Sequence, residues 1–333
     1  MAVTKLADVI VPEVFDPYVT LQILENSTIL NSGIAVTDPR VNAFLQGGGQ
    51  TMNMPFWNSI VTSDEANVSS DNDANQAVPK KFTAGKNIGV RHGLNQSWSS
   101  MDLAATLAGS DPMAALASQV VEYWDVRSQA RLVASMVGVI EDNIANFSGD
   151  MVNDIYVAAA PTDANRISAD ACIDAWATLG DKWEKVTTIS MHSVVYFHLQ
   201  KLNLIDFIPD ARGETMIATY QGKQVIVNDE NYVDTTGLAK YYTLFYGPGA
   251  VAYANEPAKV PSEVDRDILS GDGGGQETMV SRQQFVVHPN GFSFDATGIA
   301  GESPTIAELV AAANWTRNVE RKRVPVACLV HNG

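Results

Sequence analysis

A chain of 333 residues exceeds what one minimal hydrophobic core needs, so it holds two domains or one elaborated one. Hydrophobic residues make up 46% and charged residues 18%, with the apolar ones dispersed and no unbroken run of about twenty, so no transmembrane helix is indicated. The formal net charge is −16 and no window is strongly basic, which argues against a sequence-specific nucleic-acid reader; such a chain repels DNA more than it binds it.

Residues 1–45 read as an extended arm with short helical pieces, because Pro12, Pro17 and Pro39 forbid a long helix and bias their predecessors toward extended backbone. Glu13 and Asp16 interrupt any secretory signal, so folding in a cytoplasm is expected. Gly47, Gly48 and Gly49 supply a hinge; neither continuation needed for a phosphate cradle follows them. "TMNMPFWNSIV" then alternates like a strand, with Met52, Met54 and Phe56 on one face, Trp57 on the other and Pro55 at an edge position. A polar excursion, residues 62–81, carries Asp64, Glu65, Asp71 and Asp73 just before Lys80 and Lys81. "KFTAGKNIGVRHGLNQSW" returns as one strand whose charges, Lys86 and Arg91 included, keep an edge soluble. A ribbon of two strands is marginal alone in water and needs a surface to lie on.

"SDP" opens a helix, with Ser110 or Asp111 as cap and Pro112 in the first turn. Apolar residues from Met113 through Trp124 to Ile140 recur at three- and four-residue steps. About thirty residues at ~1.5 Å each make a spine on the order of 45 Å long. Residues 166–270 read as a mixed lobe. A helix over "ISADACIDAWATLGD" ends at Gly180, "VTTISM" is a buried strand, and a helix is capped near Ser193. A hairpin turns at Gln221 and Gly222, and another strand stops at Gly-Pro-Gly. "SGDGGGQETM" is a flexible break. Strands over "RQQFVVHPNGFSF" and "RKRVPVACLV" then flank a short helix started by Ser303 and Pro304. The fold class is α+β.

The chemistry of the chain is sparse. Asp71-x-Asp73-x-Asn75 imitates half of a calcium loop, but Gln76 stands at the obligatory glycine and Phe82 at the bidentate glutamate. His192 and His198 are six apart, outside the four-residue step of a helical zinc pair, and "HPNG" at His288 reads as a turn. Cys172 and Cys328 lie in apolar runs and read as buried free thiols. The densest basic run, Arg317 to Arg323, reads as a solvated face or a set of ion-pair partners. No nucleophile elbow, metal set or singled-out carboxylate pair occurs, so neither an enzyme nor any cofactor or metal is expected.

The order of parts, arm, ribbon, spine, lobe and return strands, resembles the major capsid proteins of tailed bacteriophages, the Hong Kong 97-type fold. The chain is similar to such coat proteins through "VIVPEVFDPYV", "NMPFWN", "LAGSDPMAALA", "MHSVVYFHLQKLNLI", "VIVND" and "HPNGFSF", almost end to end. The resemblance implies an N-terminal arm (1–46), an extended β-hairpin loop (47–100) and a peripheral domain with the spine (101–165). An axial domain (166–270) and return strands with the C-terminal segment (271–333) complete it. It implies a virion shell built from hexamers and pentamers around double-stranded DNA touched only non-specifically, assembled in the host cytoplasm, with no membrane contact. Portal and decoration proteins are possible partners; Met1 lies just ahead of the family-like arm, so any scaffolding would be a separate protein. Inter-subunit contact is expected at Met52, Met54, Phe56 and Trp57 as exposed apolar anchors, at Asp64, Glu65, Asp71 and Asp73, and at Lys80, Lys81, Lys86 and Arg91. Some relatives weld the loop through a lysine–asparagine bond, a role that lysines on an exposed arm do not by themselves indicate. The alternatives are an encapsulin-like compartment enclosing enzymes, and a metal-dependent hydrolase using the acids at 71–75.

Overall fold

A computed structural model describes residues 32–37, 39–58, 60, 66, 68, 69, 71, 72, 74, 76, 79–109, 111–209, 216–235 and 238–333. Strand β1 (Ala35–Thr37) and helix α1 (Pro39–Gln46) precede the ribbon strands β2 (Thr51–Trp57) and β3 (Ala84–Val90). β4 (His92–Met101), α2 (Asp102–Ala108) and the spine helix α3 (Pro112–Asn146) follow. The lobe opens with β5 (Val152–Asp154), α4 (Ala169–Ala177), β6 (Thr188–Met191) and α5 (Ser193–Lys201). β7 (Asp206–Pro209), β8 (Met216–Tyr220), β9 (Lys223–Val227), β10 (Tyr232–Thr235) and β11 (Leu238–Tyr246) continue it. The return comprises β12 (Val251–Asp267), β13 (Gln276–Pro289), β14 (Phe292–Phe294), α6 (Ile306–Val310), β15 (Trp315–Arg317) and β16 (Val326–His331).

The spine begins as the sequence predicts. The Asp111 carboxylate accepts from the Met113 N–H at 2.9 Å and Pro112 occupies the first turn, where a missing N–H costs nothing. Its 35 residues exceed the expected thirty. Leu132, Val133, Met136, Val137 and Ile140 form its buried stripe.

The stripe faces a large mixed sheet in the order β5-β16-β11-β6-β9-β8-β7, with β10 also paired to β11. Two-residue alternation serves both faces of this sheet. Tyr242, Leu244, Tyr246, Val326, Cys328 and Val330 pack with the spine, whereas Phe245, Ala327 and Leu329 pack with α4 and α5. A second sheet, β1-β12-β13-β4, adds Val251, Phe285 and Val287 to the spine's core. Both cysteines are buried free thiols, and burial pushes the Cys172 thiol up to about 12.

Several elements depart from expectation in their partners. The return flank is not one strand: β3 pairs with β2, but β4 pairs with β13 over ten residues of its length, from His92 opposite Phe285 to Met101 opposite Gln276. The reason is that β2 starts at Thr51, opposite Val90, so beyond Arg91 the chain must satisfy its backbone groups elsewhere, and the edge of β13 is open. Residues 251–267, expected in the lobe, leave it at Gly247-Pro248-Gly249 and pair with β1 and β13. In exchange β5 and β16, from outside residues 166–270, complete the large sheet. Two caps also differ. The His192 ring Nδ1, rather than Ser193, accepts from the Val194 N–H (3.1 Å), and Thr305 with Glu308 forms the capping box of α6. The turn at Gln221-Gly222 is as predicted, with φ of 49° and 76°.

Closest approach occurs at Gly138 in the spine. A Cβ there would lie 2.0 Å from the Leu309 carbonyl oxygen and 2.5 Å from Trp315 Nε1, the two atoms joined by a 2.7 Å hydrogen bond. Gly138→Ala gains about 1 kcal/mol of helix propensity. It must also push that bond apart, and overpacking with a lost buried bond costs roughly 2–5 kcal/mol, so the clash wins. Net destabilisation of roughly 1–4 kcal/mol is expected in urea unfolding, and a variant as stable as the parent would refute this packing.

Three histidines, His92, His288 and His331, are wholly buried. Burial lowers His92 to about 3, with Arg131 (Nη1 to Nδ1, 3.0 Å) and His288 adding to the effect; it lowers His288 to about 4 and His331 to about 3. The unfolded chain takes up protons as pH falls below about 6.5 while the folded chain does not, so their contribution is intact above that pH and is lost toward the folded values. Unfolding of the unassembled chain between pH 7 and 5 is expected to show stability falling by roughly 1 kcal/mol per histidine for each pH unit below about 6.5; a flat profile would contradict it.

Candidate subunit interface

The ribbon is a seven-pair antiparallel ladder from Thr51–Val90 to Trp57–Ala84, extended one step by the Asn58 N–H donating to the Thr83 carbonyl (2.9 Å). Seven residues span about 24 Å at ~3.4 Å each. Its root is fastened by side chains. Met52 and Met54 are buried in a cluster with Val41 and Leu45 of α1 and Ala252, Ala254 and Val286 of the second sheet. Gly89 permits this fit, since a Cβ there would press on the Met54 methyl at 3.3 Å. Asn318 donates from Nδ2 to the Lys86 carbonyl (2.9 Å) and to Ser293 Oγ, which accepts from the Ile88 N–H (3.0 Å).

These positions correct two expectations. Met52 and Met54 are not exposed anchors; they serve their own chain's core, because the face of β2 that carries them joins the apolar cluster formed with α1 and the second sheet. Arg91 is likewise an internal cap. Its Nη2 donates to the carbonyls of Phe44 (2.9 Å), Leu45 (3.2 Å) and Gly47 (2.8 Å), and its guanidinium lies 5.0 Å from the Phe44 ring centroid. The last carbonyls of a helix lack intrahelical donors, and a cation there also suits the helix dipole.

Phe56 is half-buried over Gly85, its cross-strand partner, where a Cβ would come within 2.6 Å of the ring. Trp57 remains 64% exposed and stacks on Phe82 at 4.9 Å with 13° between planes. Lys80, Lys81, Lys86 and Asp71 are exposed, whereas Asp64, Glu65 and Asp73 lie outside the described residues. What the structure brings together is therefore an aromatic plate at the outer end of the ladder.

Two further apolar surfaces went unread in the sequence. Val194 and Phe197 are exposed on α5, and Phe207 and Ile208 on β7, the strand that ends the large sheet. A detectable signal existed: "SVVYFHLQK" is apolar around more than the one face a surface helix buries. The second is the outer half of the β12–β13 hairpin, where Val260 is exposed within a register shift between Pro257 and Ser262 and Val264, Ile268 and Leu269 beyond it. The basic run at 317–323 behaves as ion-pair partners: Arg317 holds Asp150 bidentately (2.7 and 2.8 Å) and Lys322 meets Asp181 (2.9 Å). Among the described residues no group of three or more His, Cys, Asp or Glu is placed to hold a metal ion. Exposed apolar area of this kind suits association with other protein surfaces.

Comparison with known proteins agrees with that reading. The major capsid protein of Bacillus phage SPP1 is 38% identical over 335 residues, covering 99% of each chain. Among solved structures, the capsid of Ralstonia phage GP4 aligns with a TM-score of 0.60 at 9% identity over 97% of this chain and 96% of that one. The cyanophage Pam1 capsid aligns with a TM-score of 0.58 at 8% identity over 96% of each. Residues 46–324 match the family model described as major capsid protein 13-like, and the chain belongs to this Gp13-like family of phage major capsid proteins, structural shell proteins and not enzymes.

Proposed function

We propose that the chain builds the icosahedral head of a tailed phage in the Hong Kong 97 manner, as hexamers and pentamers whose subunits are tied together by the ribbon. The observation that carries this is the Trp57–Phe82 plate, an exposed apolar surface at the outer end of a projecting ladder whose root is fixed in its own chain. Such a feature is an aggregation hazard in a monomer and an anchor in a shell. The large sheet with α4 and α5 serves as the axial domain, its apolar edge at α5 and β7 facing the capsomer axis, and the spine with the second sheet serves as the peripheral domain.

The acidic balance of the chain supports only loose, non-specific contact with packaged DNA. Assembly in the host cytoplasm, with portal and decoration proteins as further partners, completes the reading.

Electron microscopy of the purified protein is expected to show closed shells, and a lasting monomer would sink the proposal. Trp57→Ala should leave subunit stability within about 0.5 kcal/mol, as exposed positions do, yet reduce shell yield at least tenfold. Met54→Ala should do the converse at the level of the fold, costing about 2–4 kcal/mol in unfolding of the unassembled chain. Normal shells from Trp57→Ala would remove the plate from the interface.

A further inference from the structure

Below the large sheet, where β6 and β16 begin and β11 ends, lies a cleft of about 480 Å³. Leu179, Pro248 and Pro325 give it apolar walls, and Lys182, Lys185, Lys322 and Arg323 line it against a single lining acid, Glu184. Lys182 and Lys322 share one neighbouring carboxylate, Asp181, at 3.4 and 2.9 Å. Even with both acids counted the site keeps an excess of positive charge, in a chain whose net charge is −16.

The strand register says what reaches this place. β1 runs parallel to β12 with Ala35 opposite Val251, the Val251 N–H donates to the Ile34 carbonyl (3.4 Å), and Gly249 sits against Val36. Ser32 opens the turn that leads into β1, at the end of β1 that pairs with the start of β12, three residues after Pro248, a wall of the cleft. Residues 1–31 are complementary in chemistry. They carry Asp8, Glu13, Asp16 and Glu25 against Lys5 alone, among apolar runs such as "VIVPEVF" and "LQIL". Glu25 is seven residues from Ser32, a reach of up to about 24 Å at ~3.4 Å per residue.

We propose that the cleft is a docking site for the acidic, apolar stretch preceding Ser32, its carboxylates meeting Lys185 and Arg323 and its apolar side chains meeting Leu179, Pro248 and Pro325. Duplex DNA matches the site less well, because a concave, apolar-walled cleft with Glu184 and Asp181 in it opposes a convex chain of phosphates. The proposal concerns the single subunit and stands or falls independently of how shells assemble.

Zero-length carbodiimide coupling of the full-length, unassembled chain tests it, since this reagent condenses a carboxylate with an amine in contact, with net loss of water. Peptide mass spectrometry is expected to find Glu25, Asp16 or Glu13 joined to Lys182, Lys185 or Lys322, with the Asp181–Lys322 link as the internal sign of an intact cleft. K185E/R323E should lower the first yield at least tenfold and keep the second. The charge-swapped chain E25K/K185E should regain a link between those two positions. Lysines coupled only to acids of residues 64–73, no link to residues 1–31 while the Asp181 control forms, or protection of the lysines by duplex DNA alone would each overturn the assignment.

Discussion

One buried helical stripe closes the two larger sheets of this protein. The spine meets the large sheet through Tyr242, Leu244 and Cys328 and the smaller one through Phe285 and Val287, so one core joins the two sheets. Helix α6 and Trp315 lock the arrangement by approaching the spine backbone at Gly138, closer than any side chain there would allow. The cost is a weak helix former in the middle of the longest helix, and the return is a Trp315–Leu309 hydrogen bond seated directly on the spine. A glycine at this point is a packing requirement, not a hinge.

Anchored on that core, the ribbon resolves the difficulty of a two-stranded ladder in water. Its inner half is held by Met52 and Met54 in the apolar cluster under α1, by Arg91 across the end of α1, and by Asn318 and Ser293 on the backbone of β3. Its outer half is held by cross-strand pairing and by aromatic contact, Phe56 over Gly85 and Trp57 on Phe82. The division matters for function. A rigid root sets the direction in which the ribbon projects, and the aromatic plate at its outer end offers apolar area to another surface. Exposed apolar area is thereby held at a fixed distance from the chain's own core.

Legibility in the sequence followed the range of the forces involved. The cap at Asp111, the turn at Gln221-Gly222, the buried strand at Thr188–Met191 and the alternation of β2 are decided within a few residues, and each was readable. The split at Arg91 was not, because β3 and β4 have the same local preference for extended backbone and differ only in which distant strand offers a free edge. Likewise nothing near residue 251 says that its strand belongs with β1 and β13; the Gly-Pro-Gly before it marks a stop without a destination.

The candidate interface divides along the same line. By itself the sequence determined an α+β chain with a long spine, a thin early ribbon, buried thiols and no catalytic constellation, because periodicity, capping and composition act locally and additively. Tertiary structure alone decided which apolar residues of the ribbon are free for a partner. Met52, Met54 and Trp57 belong to one short strand and are equally apolar in the chain; they part company because α1 and the second sheet bury the two methionines while the tryptophan faces solvent. Exposure is a property of what lies opposite a residue, and no stretch of sequence contains its own far side.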